Sequence, residues 1–133
     1  MDTSETSIEP AGSQNEPPRA NLRAELECTM LVVTVEFALR EGAEPEFLAA
    51  LKVMQARVRS FDGFLGEEPC QSVSDPNHQV TLSYWRDAES MAAWRVDPEH
   101  MRIQKRGREE FFRWYRIHIA RVEREYDWNL SDH

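Results

Sequence analysis

The sequence predicts an α+β fold with the element order βαββαβ, and three observations carry that expectation. A β-branched apolar run, CTMLVVTVEFAL (28–39), precedes a segment whose apolar residues Phe47, Leu51, Met54 and Val58 recur at helical spacing. Two extended stretches flank a turn built on Asp75-Pro76-Asn77, which reads as a hairpin. A second helical stretch, opening at Asp97-Pro98, gives way to strict alternation through Tyr115, Ile117 and Ile119.

Residues 1 to about 25 stand apart from this pattern. Rich in Ser, Thr, Glu and Pro and nearly free of aliphatic side chains, they bury too little surface to offset the entropy of ordering. They are expected to be a disordered acidic tail, with 26–133 as the folded domain.

The first strand follows from its β-branched content, since such side chains are stiff at χ1 and pack well on a pleated surface. Gly42 closes that section, and EPEFLAALKVMQARVRS continues as an amphipathic helix with Pro45 near its first turn, where the missing N–H is no loss. FDGFLGEEPCQSV (61–73) reads as a turn into the second strand. HQVTLSYWR (78–86) is the third, with Val80, Leu82 and Tyr84 on one face. Asp87 should cap a short helix carrying Met91 and Trp94.

Asp97 can accept from the open amides of the next helix, and Pro98 fits its first position, so a helix is expected from about Pro98 to about Arg113. At 100° per residue, His100, Ile103, Gln104, Gly107 and Phe111 face inward and Arg102, Arg106, Glu109, Glu110 and Arg113 outward, with Arg108 at the edge. Two polar side chains one turn apart, His100 and Gln104, therefore lie on the buried stripe. Gly107 within a helix costs about 1 kcal/mol relative to Ala, which predicts a close approach there. WYRIHIARVEREY (114–126) is the fourth strand, with Arg116 and His118 on its second face. The whole is a ferredoxin-like sandwich.

Two helices cover one face of such a sheet, yet the first strand is apolar in both phases, Leu31, Val33, Val35 and Phe37 in one and Met30 and Val32 in the other. That predicts a homodimer. A formal net charge of −8 argues against nucleic acid or an anionic membrane as partner. No basic leader precedes an apolar run and no apolar stretch approaches a membrane span, so a cytoplasmic protein is expected. Cys28 and Cys70 are isolated, suggest neither zinc nor a disulfide framework, and are expected to be buried fillers. His78 and His118 are expected to be exposed.

The stretches FDGFLGEE (61–68), QSVSDPNHQVTLSYWRDAESMAAWR (71–95), EHMRIQKRGR (99–108) and RIHIARVEREY (116–126) together carry a resemblance. From about Val32 to Tyr126 the chain resembles the antibiotic biosynthesis monooxygenase family of the dimeric α+β barrel superfamily. The resemblance implies a pocket between the sheet and the helices of each subunit, and oxidation of electron-rich phenols, quinols or anthrones by dioxygen without cofactor or metal. Such chemistry needs a base that titrates near neutrality, a donor for the developing oxyanion, and apolar walls. His100 is then the base and Gln104 or Arg108 the oxyanion donor, while Trp94, Trp85, Tyr84 and Phe111 form aromatic walls. Against each role stands plain packing: a satisfied core histidine, a solvated arginine, a core aromatic.

Two alternatives follow from the same residues. Haem-degrading relatives place an iron-ligating His ten residues after the helical Trp, where this chain has Gln104, and an Asn on the first strand near Val35, so haem is disfavoured. A non-catalytic dimer that binds a ligand or a partner protein is the other.

Overall fold

The computed structural model describes residues 29–130, and the expectations for the 1–25 tail and for Cys28 fall outside the described residues. Within Thr29–Arg121, one compact unit, the elements are β1 (Leu31–Leu39), α1 (Glu44–Val58), β2 (Phe64–Gln71), β3 (Gln79–Trp85), α2 (Ala88–Arg95), α3 (Pro98–Arg106), a π-helical turn (Gly107–Phe111) and β4 (Phe112–Arg121). The strands form one antiparallel sheet in the order β2-β3-β1-β4, the ferredoxin-like arrangement.

Register assigns every strand side chain to a face. Leu31, Val33, Val35 and Phe37 of β1 lie beside Trp85, Ser83, Thr81 and Gln79 of β3, and from Val33 onward beside Ile119, Ile117 and Tyr115 of β4. On this face the core forms: Leu31, Met54, Val58, Trp85, Met91 and Trp94 are buried together, with Val33, Phe61, Phe64 and Ile103 packed against them. The opposite face carries Val32, Thr34 and Glu36 beside Tyr84, Leu82 and Val80, and beside Ala120, His118 and Arg116. None of the clustered core residues lies on it, and Ala38 at its end is the one buried apolar side chain there among the described residues.

Both aspartate caps form. Asp87 accepts from the Ser90 amide at 2.8 Å and Asp97 from the His100 amide at 3.1 Å. The expected helix 98–113 is shorter, ending at Arg106 and widening into the π turn before β4 starts at Phe112. Long-range contacts decide this: Arg40, just past β1, donates to the carbonyls of Arg108 at 2.6 Å, Glu109 at 2.7 Å and Phe112 at 3.0 Å, while Phe112 pairs with Leu39. Those carbonyls would otherwise be the orphan acceptors of a helix end. The close approach expected at Gly107 is to the ring of Phe112, whose Cε2 would lie 2.6 Å from an added Cβ.

Two expectations from the sequence are corrected. Cys70 is exposed, because it falls on the coreless face of the edge strand β2. His78 is half-buried, its Nε2 3.0 Å from Glu36 Oε1, because the hairpin lays the start of β3 beside β1. The fourth strand ends at Arg121, and Val122–Leu130, which form no strand, belong to a separate unit, in which the Arg124 guanidinium stands 5.5 Å from the Tyr126 ring centroid. No described helix is long and apolar enough to cross a membrane.

Candidate functional site

Asp97 anchors the site. Only 8% exposed, its carboxylate receives Arg57 Nε on Oδ2 and Nη2 on Oδ1, both at 2.8 Å, tying the start of α3 to α1. The Arg57 guanidinium, helped by the His100 amide and opposed by desolvation, holds the Asp97 pKa down at about 2.

One turn along α3, the His100 ring lies against Trp94 with centroids 4.4 Å apart and planes inclined by 18°. Its Nδ1 is 3.0 Å from the Trp94 carbonyl oxygen. A carbonyl only accepts, so Nδ1 carries the proton and, in the neutral ring, Nε2 keeps its lone pair. Burial pushes the His100 pKa below the ordinary 6.5, outweighing the Trp94 carbonyl and the Asp97 charge. The imidazole is thus held neutral in a defined tautomer.

Trp94 joins His100 to the core. Its other neighbours are Phe61 at 5.1 Å and Trp85, stacked at 6.4 Å. Trp85 Nε1 donates to Ser83 Oγ at 3.0 Å. Trp94 Nε1–H, His100 Nε2 and the Gln104 amide have no hydrogen-bond partner among the described residues, although Trp94 is 8% exposed and His100 and Gln104 are half-buried. Buried polar groups ordinarily are paired, so three unpaired ones along α2 and α3 point to a ligand or solvent.

An apolar surface on the same side of the sheet remains open. The core cluster draws on β1, β2 and β3 but not β4, leaving Tyr115, Ile117 and Ile119 at 42%, 46% and 45% exposure beside Phe37, Val35 and Val33. Val33 packs against the cluster that holds Trp94, so this shelf borders the stack.

Of the residues singled out from the sequence, Trp85, Trp94 and His100 come together, and Gln104 follows one turn on. Tyr84 does not join them: consecutive strand residues face opposite ways, and Tyr84 lies beside Val32 on the coreless face. Phe111, 1% exposed, belongs to a second aromatic cluster with Phe47 and Phe112, under the Arg106 guanidinium. Arg108 is exposed and borders a separate cleft with Arg40 and Arg113. The Arg57–Asp97 pair escaped the sequence reading, since nothing local marks a partner 40 residues away.

The profile of the antibiotic biosynthesis monooxygenase family matches residues 30–106, from β1 through the end of α3 and including the whole Trp94–His100–Gln104 stretch. The chain belongs to this family. Jasmonate monooxygenase ABM from Pyricularia oryzae is 29% identical over 93 residues, which span 70% of this chain and 43% of that protein. Protein SchA from Streptomyces halstedii is 30% identical over 71 residues, 53% of this chain and 19% of that one. The chain therefore spans less than half the length of either relative. Among solved structures, SnoaB, a cofactor-independent oxygenase from Streptomyces nogalater, superposes with a TM-score of 0.63 over 73% of this chain and 96% of that one at 14% identity, a likeness of fold.

Proposed function

We propose that the chain is a cofactor-independent monooxygenase that oxidises a small electron-rich aromatic, of phenol, quinol or anthrone type, with dioxygen, and that it works as a cytoplasmic homodimer. The observation that carries this reading is the neutral, Nδ1-anchored His100 with a free Nε2, next to two further unpaired polar groups and an open apolar shelf.

For an anthrone, His100 Nε2 takes a proton from the ring methylene, and the resulting carbanion passes one electron to dioxygen. The carbon radical and superoxide join in a C–O bond. The peroxide regains the proton from His100, and loss of water, its second oxygen leaving with a C–H proton, yields the quinone carbonyl. Gln104 and Trp94 Nε1–H supply donors for the oxyanion, as a preorganised site requires. Trp85 and Trp94 form one wall, and Tyr115, Ile117 and Ile119 offer the ring an apolar seat. The second copy would cover the coreless sheet face through Val32, Val80, Leu82 and Tyr84.

Aerobic incubation of the pure protein with a panel of quinols and anthrones, beside a haem titration, tests this. Oxygen uptake matched by quinone formation, without added metal or flavin and lost in His100→Ala, is the expected result. Tight haem binding without such turnover would replace the reading by haem degradation. Binding of panel members without turnover would leave a non-catalytic ligand carrier.

A further inference from the structure

At the far end of β4 a different chemistry gathers. Arg40, Arg108 and Arg113 border a cleft of about 350 Å³ together with Phe112, Trp114 and Tyr115. The chain has 24 acidic against 16 basic side chains, so three guanidiniums around one concavity reverse the local sign. Elsewhere Arg57, Arg86, Arg102, Arg106 and Arg116 each pair with a carboxylate, while Arg59, Arg95 and Arg121 stand on the exposed surface without one among the described residues and border no cleft with other arginines. The three at the cleft meet no carboxylate among the described residues. Arg40 spends its donors on backbone carbonyls, which satisfy its N–H groups and leave its charge uncompensated. That same lattice of bonds fixes the π turn carrying Arg108 to the strand start carrying Arg113.

Of the aromatic residues bordering the cleft, Trp114 keeps its ring open at 39%, while Tyr115, next along the strand, turns its ring to the opposite face of the sheet. An exposed ring beside unneutralised guanidiniums offers a stacking surface and a forked donor at once. We propose that this cleft binds a planar aromatic carboxylate, with Arg108 and Arg113 holding the carboxylate and Trp114 packing against the ring. A guanidinium fork matches a carboxylate in two parallel charge-assisted hydrogen bonds. None of the cleft's lining residues belongs to the Trp94–His100 stack; Tyr115 borders both the cleft and the apolar shelf but takes no part in this proposal, which does not depend on the role of His100.

Titration calorimetry with 2-naphthoate tests the assignment. Saturable binding is expected, weakened about tenfold or more in Arg108→Gln/Arg113→Gln, the usual effect of losing charged hydrogen bonds. Arg95→Gln, an exposed arginine outside the cleft, and His100→Ala should both bind as the parent does. The uncharged 2-naphthamide should bind much more weakly, and so should inorganic phosphate, which lacks the ring. Equal affinity of the double-arginine variant, equal affinity for the amide, or no saturable heat at millimolar naphthoate would each overturn the proposal.

Discussion

The carboxylate of Asp97 that closes the N-terminus of α3 is the same one that Arg57 of α1 grips through two hydrogen bonds of 2.8 Å. Oδ2 also receives the His100 amide, so the residue that positions the candidate base is held in place by another helix. The stack on Trp94 follows from that anchoring: α3 cannot rotate about its axis without breaking the pair. A residue legible in the sequence as a helix cap is, in the folded protein, the joint between two helices.

Asp97 should make stability acid-sensitive. Its folded pKa, about 2, lies below its ordinary 3.8, so its contribution is present above 3.8 and is lost as the pH falls from about 4 to about 2. Asp97→Asn should melt roughly 5 °C or more below the parent at pH 7, and the gap should narrow across that window. Thermal melts from pH 7 to 2 check this; a gap that stays constant to pH 2 would refute it.

His100 should titrate below 6.5. Because its folded pKa is depressed, the stability it lends is full above 6.5 and declines as the pH drops through 6.5 toward its own lower value. The same protonation removes the Nε2 lone pair, so the acid limb of turnover should follow it. Nitrogen-15 NMR should find the Nδ1–H tautomer at neutral pH. His100→Ala should cut turnover by about 10²-fold or more.

Gly107→Ala sets two effects against each other. Its φ of −57° is helical, so Ala should gain about 1 kcal/mol in propensity. The new Cβ, however, meets the Phe112 ring, which is already packed by Phe37, Phe47, Phe111 and Tyr115, and overpacking of that kind costs about 1–3 kcal/mol. Net destabilisation is expected in denaturant melts. In a Phe112→Leu background the same change should become neutral or stabilising, a coupling that propensity alone would not produce.

Leu82→Arg should separate folding from assembly. Leu82 lies on the sheet face away from the core, so the variant should keep a cooperative melt. If that face joins two copies, the parent should sediment at twice 15.6 kDa and the variant at the monomer mass. A parent that sediments as a monomer at micromolar concentration would remove the homodimer from the proposal.

The element order was legible because period 2 and period 3.6 are written into neighbouring residues, and so were the two aspartate caps, whose partners lie three residues away. Alternation in HQVTLSYWR likewise put Val80, Leu82 and Tyr84 on one face. That reading already separated Tyr84 from Trp85, yet a list of aromatic walls drawn from the family resemblance merged them.

What the sequence by itself determined is therefore local: which segments extend, which coil, where helices start, and that His100 and Gln104 share a stripe. Tertiary structure alone decided where the last helix stops, because the acceptors at its end are satisfied by Arg40, 68 residues before Arg108 in the chain. It also decided that Phe111 and Arg108 stand apart from the Trp94–His100 stack, and that His100 carries its proton on Nδ1. The reason is range: periodicity reports angles around one helix or strand, whereas a tautomer, a buried ion pair or an open shelf depends on which distant atoms that face meets.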